Sequence, residues 1–135
     1  MDPGAPQLLE ITATAGVVQA RQLARALAQE CRFSLVDQTK LITAASELAR
    51  NTLIHGGGGT MAADLVDERG RHGVRIVFSD TGPGIADVEL ALTDGWTSGG
   101  GMGLGLSGSR RLVDDFVLDT APGRGTSVTI TKWAR

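Results

Sequence analysis

The sequence predicts an α+β fold, a two-layer α/β sandwich in which a mixed, mostly antiparallel sheet of about five strands carries helices on one face. Three observations support this prediction. Segments with strand-like alternation and segments with helical apolar spacing follow in the order strand, two helices, two strands, helix, two strands. Short turns containing glycine join the later strands in pairs, which is typical of hairpins. Two layers are enough to bury one face of such a sheet.

The first half of the chain predicts one strand and two helices. Residues 8–14 alternate between apolar and polar side chains, as a half-buried strand does. Residues 16–33 carry apolar side chains at helical spacing and predict the first helix. Ser34 is placed to cap a second helix over Leu35–Ile54, which the glycines at 56–59 terminate.

The middle of the chain predicts a hairpin followed by a tight turn. Residues 60–68 and 73–79 have the composition of strands, and the polar turn at residues 69–72 joins them. Residues 80–84 contain glycine and proline at turn positions. Residues 87–94 are long enough for a short helix.

The last part of the chain predicts one more helix and a second hairpin. A helix is expected from Leu106 to about residue 115, directly after a run rich in glycine. Residues 116–121 and 125–133 then predict two strands, joined by a turn that contains proline and glycine.

Composition narrows the classes of function. At 135 residues the chain can form a single domain, residues 1–135, with its own core. The net charge of −2 and the absence of tyrosine give neither a basic surface nor a row of stacking aromatics, so we expect no nucleic-acid partner. The single cysteine, Cys31, cannot form an internal disulfide and is expected to be a small buried residue. The sequence shows neither a signal-peptide pattern nor an apolar run of membrane-spanning length, so we expect a cytoplasmic location and no membrane partner.

Three polar residues of the second helix are spaced by four. Glu47, Asn51 and His55 therefore lie on roughly one face, beside the apolar stripe. A charge or amide buried there is costly unless it is paired or binds a ligand, although an exposed polar stripe is an alternative interpretation. Oxygen-bearing groups four residues apart suit a magnesium ion whose other ligands are phosphates, and a carboxylate beside it could accept a proton.

A second motif follows the first hairpin. Asp80 stands at the predicted end of a strand, with Gly82 and Gly84 two and four residues later. Such a carboxylate beside unencumbered backbone could accept a hydrogen bond from an exocyclic amine such as that of adenine. An Asp-initiated turn is the alternative. Thr126 follows Gly125 at the start of the last strand. A glycine followed by a hydroxyl residue is common in hairpins and by itself does not indicate a site.

The glycine run is the third motif. Five of the seven residues at 99–105 are glycine, which is unfavourable inside a helix or strand. Placed before a helix, such a run offers backbone N–H groups that suit a phosphate, and a flexible surface loop is the alternative. The run does not resemble a P-loop, because no Lys-Ser/Thr pair follows it.

The order of these motifs resembles the GHKL superfamily of ATPases and kinases. The sequence contains Glu47-x-x-x-Asn51, Asp80-x-Gly82-x-Gly84, Gly101-x-Gly103-x-Gly105 and Gly125-Thr126. The superfamily includes DNA gyrase, MutL, heat-shock chaperones, sensor histidine kinases and anti-sigma-factor serine kinases. The resemblance covers residues 41–127 and implies the Bergerat ATP-binding fold, with ATP/ADP and Mg²⁺ as cofactors.

The resemblance also implies a role for each matched residue. Glu47 would be the catalytic base or polarise the attacking group, and Asn51 would coordinate Mg²⁺. Asp80 would accept a hydrogen bond from the adenine amine, with the Thr126 hydroxyl in support. The last glycines before the helix would end a short lid over ATP. The expected nucleotide-contacting residues are Asn51, His55, Asp80, Gly82, Gly84, Ile85, Gly100, Gly101, Met102, Gly103, Leu104, Gly105, Leu106 and Thr126.

One position departs from the pattern. Many relatives carry a basic residue three positions after the asparagine, where this chain has Ile54. The lid backbone would then have to supply that phosphate contact.

Within the superfamily, the chain is most similar to the small serine/threonine switch kinases of the RsbT type, from bacterial stressosomes and partner-switching modules. Residues 46–51, 94–100, 110–116 and 130–135 carry this resemblance. It implies phosphorylation of serine or threonine on STAS-domain partners and, after release, activation of a downstream phosphatase of the PP2C type.

Other members of the superfamily remain as alternatives. A sensor histidine kinase is disfavoured because the only histidines, His55 and His72, lie in the predicted nucleotide-binding helix and in a hairpin turn. An anti-sigma factor of the RsbW type that captures a sigma factor directly stays open, as does a nucleotide-dependent switch without turnover. The presence of both Glu47 and Asn51 favours an enzyme over a pure binder. A free ATPase is disfavoured because we expect no coupled domain that would use the hydrolysis.

Overall fold

The computed structural model of the protein describes residues 6–92 and 106–135. Its elements follow the predicted order, and the short helix expected within residues 87–94 is present as four residues. They are β1 (Gln7–Ile11), α1 (Thr14–Glu30), α2 (Leu35–Ile54), β2 (Gly59–Glu68), β3 (Arg71–Asp80), α3 (Val88–Ala91), α4 (Leu106–Leu112), β4 (Asp115–Ala121) and β5 (Gly125–Trp133).

The strands form one five-stranded sheet in the order β1-β2-β3-β5-β4, and every neighbouring pair is antiparallel. The predicted α+β class and strand number are confirmed. β3 lies at the centre, between β2 and β5, so its last residue is held from both sides. This central position makes the end of β3 a well-fixed place for a functional side chain.

The core lies between one face of the sheet and the two long helices. Along β3, Val74, Ile76 and Phe78 are buried while the residues between them are only half-buried, which is the alternation of a sheet covered on one face. Helices α1 and α2 pack against each other through buried small residues. These are Ala20, Ala24, Ala28, Ala44, Ala45 and Ala49.

The second helix has the predicted bounds. Ser34 caps it, because its Oγ accepts a hydrogen bond from the backbone N–H of Asp37 at 3.1 Å. Beyond Ile54 the chain turns through glycines, as expected.

Most predicted boundaries are shifted by one to three residues, and two of the shifts have a clear cause in the sheet. β1 ends at Ile11 rather than at residue 14, because its ladder with β2 stops at the pair Ile11–Gly59. Helix α4 ends at Leu112 rather than near residue 115. The chain there has already joined the sheet, since Asp114 donates its N–H to the Thr131 carbonyl and accepts from the Trp133 N–H. Both errors come from long-range pairing that local patterns do not contain.

Cys31 follows α1 and is half-buried, with its thiol donating to the carbonyl of Gly73 at 3.4 Å. Burial raises the pKa of the Cys31 thiol above its ordinary value, and the carboxylates of Asp67 and Glu30 act in the same direction. The raised pKa favours the protonated thiol over the nucleophilic thiolate. None of the helices within residues 6–92 and 106–135 is long and apolar enough to cross a membrane.

A buried ion pair joins α2 to the sheet. Lys132 Nζ of β5 lies 3.4 Å from Asp37 Oδ1 in the first turn of α2. The two side chains are only 3% and 12% exposed. The carboxylate also lies at the N-terminal end of a 20-residue helix, where the helix dipole favours negative charge.

Removing one member of this pair should be strongly destabilising, because it leaves the other charge buried without compensation. We expect Lys132→Met to lower the free energy of unfolding by about 3–5 kcal/mol, and the double variant Asp37→Leu/Lys132→Met to recover much of that loss. Urea denaturation measures both. Arg124→Met is the control, since Arg124 pairs with Asp119 on the surface and such pairs contribute about 0–1 kcal/mol. Equal losses in the free energy of unfolding for Lys132→Met and Arg124→Met would contradict the assignment of Asp37 and Lys132 as a stabilising buried pair.

Candidate functional site

A cavity of about 350 Å³ opens between α2, the C-terminal end of β3 and the start of β5. The loop that follows β3 and the first residue of α4 complete its wall. Its lining is Leu48, Asn51, Thr52, His55, Gly56, Phe78, Asp80, Pro83, Gly84, Ile85, Ala86, Asp87, Leu106, Thr126 and Val128. Seven of these side chains are apolar and six are polar, so the lining combines an apolar surface with several polar groups, as is typical of a small-molecule site.

Asp80 is the carboxylate that ends the central strand. Its Oδ1 accepts hydrogen bonds from the backbone N–H of Gly82 at 2.9 Å and of Thr126 at 3.2 Å. Among the residues that the structure describes, none donates a hydrogen bond to Oδ2. The bond to Gly82 is also that of an Asp-initiated turn, so the two interpretations of this motif are compatible. The carboxylate is thus fixed by one oxygen and can accept from a ligand with the other.

Two glycines allow this arrangement. A Cβ on Gly56, just after α2, would lie 2.4 Å from Cγ of Asp80, so only glycine lets the helix end approach the carboxylate. Gly84 has φ +75° and a Cβ there would lie 2.0 Å from the carbonyl oxygen of Ala121. The loop after β3 therefore packs directly on the β4–β5 hairpin, whose Gly123 N–H also donates to the Pro83 carbonyl at 2.8 Å.

A pair of threonine hydroxyls lies at the cavity wall, with Thr126 in the lining and Thr120 behind it. Thr120 Oγ1 accepts from the N–H of Ile85, donates to the carbonyl of Gly125, and lies next to Thr126 Oγ1, each at 2.9 Å. Sequence reasoning missed Thr120. The signal was present in the hairpin, because the turn at residues 122–124 places Thr120 opposite Thr126 across the ladder.

The polar face of α2 only partly reaches the cavity. Asn51 and His55 both line it, as their spacing predicts. Glu47 is absent from the cavity lining that the described residues form. Its side chain is 39% exposed, and its Oε1 pairs with Arg50 Nη1 at 3.1 Å. Ile54, where a basic residue was expected from relatives, is 48% exposed and also lies outside the lining.

The cavity brings together seven of the expected nucleotide-contacting residues: Asn51, His55, Asp80, Gly84, Ile85, Leu106 and Thr126. Gly82 lies behind them and binds Asp80. The other expected positions, Gly100, Gly101, Met102, Gly103, Leu104 and Gly105, lie outside the described residues. The roles assigned to all of these residues stay predictions.

The donors around the cavity suit a metal ion only together with a ligand. Within residues 6–92 and 106–135, no group of three or more His, Cys, Asp or Glu could hold an ion by itself. Asn51 offers an amide oxygen, a hard donor that Mg²⁺ accepts. The residues present therefore fit a magnesium ion whose remaining ligands are phosphate oxygens and water.

Known proteins with related sequences support a nucleotide site. The family model described as "Histidine kinase-, DNA gyrase B-, and HSP90-like ATPase" matches residues 36–135. The serine/threonine-protein kinase RsbT of Bacillus subtilis is 44% identical over 119 residues, which is 88% of this chain and 90% of that protein. The anti-sigma F factor of Caldanaerobacter subterraneus is 29% identical over 84% of this chain and 82% of its own length. The anti-sigma F factor of Bacillus licheniformis is 31% identical over 70% of this chain and 68% of its own length.

The close approach of Gly56 to Asp80 gives a test of the site geometry. We expect Gly56→Ala to displace the carboxylate, so that the backbone N–H groups of Gly82 and Thr126 lose their acceptor and exchange with solvent at least about tenfold faster. Hydrogen exchange followed by NMR measures this. Gly108→Ala is the matched control, because a Cβ on Gly108 would meet nothing within 4 Å. Unchanged exchange at both amides in Gly56→Ala would show that the carboxylate is held in another way.

Proposed function

Because this chain belongs to the family of histidine kinase-, DNA gyrase B- and HSP90-like ATPases, we propose that it is a cytoplasmic serine/threonine protein kinase of a bacterial partner-switching pathway. It transfers the γ-phosphoryl group of ATP to a hydroxyl on a STAS-domain partner protein. The released kinase then activates a phosphatase of the PP2C type. The reaction class is supported by the 44% identity to RsbT, which is named a serine/threonine-protein kinase.

The single observation that carries the nucleotide site is the fixed carboxylate of Asp80 in an apolar cavity. Two backbone N–H groups hold Oδ1. In this proposal the exocyclic amine of adenine would donate to Oδ2, and the apolar walls formed by Phe78, Ile85 and Val128 would contact the ring. A flat, weakly polar heterocycle with one amine matches this combination of surfaces.

Phosphoryl transfer requires positioning and charge neutralisation more than covalent chemistry from the protein. Asn51 would hold the magnesium ion, which when bound would neutralise charge on the phosphates. Glu47 lies one helical turn earlier, about 6 Å along the axis of α2. It orients the incoming hydroxyl and accepts its proton while the oxygen–phosphorus bond forms and the bond to the leaving ADP oxygen breaks.

A second function is favoured by a separate observation. The anti-sigma F factors are 29% and 31% identical to this chain over most of its length. The alternative function is therefore direct binding of a sigma factor. Pull-down of purified STAS-domain proteins and sigma factors from the same genome separates the two, since the kinase proposal expects the STAS protein to be retained and phosphorylated.

Neutralising Asp80 should weaken the binding of ATP. In Asp80→Asn the charged acceptor is lost, and a charged hydrogen bond is roughly twice as strong as a neutral one. We expect the Kd for ATP to rise by about 10–100-fold in isothermal titration calorimetry. Asp67→Asn is the control, since Asp67 is exposed and pairs with His72 away from the cavity. Equal Kd values for the two variants would refute the role of Asp80.

Removing the carboxylate of Glu47 should abolish transfer and spare binding. We expect Glu47→Ala to keep the Kd for ATP but to slow transfer of radiolabelled phosphate to a STAS-domain substrate by about 10²–10⁴-fold. Glu68→Ala is the matched control, because Glu68 also pairs with an arginine three residues away on the surface. Transfer at the native rate by Glu47→Ala would remove Glu47 as the base. ATP binding without transfer by the native protein would leave a nucleotide-dependent switch instead of a kinase.

A further inference from the structure

We infer that Thr120 is a positioning residue that sets the direction of the hydrogen bond made by Thr126, so that the cavity accepts a purine with an amine and rejects one with a carbonyl. Thr120 itself does not line the cavity. It acts through Thr126, which does. The inference rests on the proposed function, because it concerns the base of the nucleotide bound there.

The partners of Thr120 Oγ1 leave one arrangement of protons. A hydroxyl has one proton to donate and two lone pairs that accept. The Gly125 carbonyl can only accept, so it receives the Thr120 proton at 2.9 Å. The Ile85 N–H can only donate, so it occupies one lone pair, also at 2.9 Å. The second lone pair lies 2.9 Å from Thr126 Oγ1, and all three contacts are satisfied together when Thr126 donates its proton to Thr120.

This arrangement fixes what Thr126 offers to a ligand. Its single proton is used inside the protein, and only its lone pairs remain for the cavity. Asp80, whose Oδ1 accepts from the backbone N–H of Thr126, presents a carboxylate beside it. Both polar groups on this part of the wall are therefore acceptors.

A wall of acceptors discriminates between purines. The amine of adenine has two protons and can satisfy both groups, whereas a carbonyl oxygen at the same ring position would face two acceptors with no donor. ITP differs from ATP at this position, where a carbonyl replaces the amine. We therefore expect ATP to bind more tightly than ITP, and we expect Thr120 to contribute to that difference.

Thr120→Val tests the inference, since valine has nearly the same shape but no hydroxyl. The Thr126 proton is then free to turn towards the ligand and donate to a carbonyl. We expect the ratio of the ITP and ATP dissociation constants, measured by calorimetry, to fall about tenfold, the effect of one hydrogen bond. Thr120→Ser keeps the hydroxyl and should restore the native ratio. Thermal denaturation of each variant reports its folding separately.

The outcomes are distinct. If Thr120 has a purely structural role, Thr120→Val weakens the binding of ATP and of ITP by the same factor. The ratio of the two dissociation constants then stays unchanged, which would overturn the inference and leave the proposed function intact. A native protein that binds neither nucleotide would overturn both. If Thr120→Val does not fold, Thr126→Val decides: loss of ATP affinity with ITP affinity kept supports an accepting hydroxyl. Loss of ITP affinity with ATP affinity kept would overturn it.

Discussion

The hydrogen bonds to Asp80 Oδ1 are the constraint on which the site depends. They join the end of the central strand to the loop after it, through Gly82, and to the first residues of β5, through Thr126. The same carboxylate packs on Gly56 at the end of α2. Three segments that are distant in sequence are thereby held around one side chain, and the cavity forms where they meet.

The fold was largely predictable because its signals are local. The bounds of α2 follow from a capping serine and terminating glycines, and the β4–β5 hairpin follows from its turn. The fold class and the family suggested by four short motifs are both confirmed. The errors lie at element ends that are set by pairing across the sheet. No local pattern in the residues around Leu112 predicts that the chain pairs with β5 two residues later.

The candidate site was predictable in its residue types and less so in its contacts. Helical spacing was enough to place Asn51 and His55 on the cavity, but it placed Glu47 on the same face without showing its pairing with Arg50. Thr120 was missed although the hairpin turn places it opposite Thr126, because that register by itself does not show what its hydroxyl binds. Its importance comes from partners at Ile85 and Gly125 that only the folded chain brings together.

The buried pair of Asp37 and Lys132 has a consequence for how this sequence can vary. Each residue compensates the charge of the other in a largely buried place, so a change at either position alone leaves one charge without its partner. Sequence drift at the two positions is therefore coupled: natural variants should either keep both charges or lose both, passing through a poorly folded intermediate or a double change. Helix α2, which carries the polar face of the cavity, is thus linked to the last strand by coupled sequence variation as well as by direct contact.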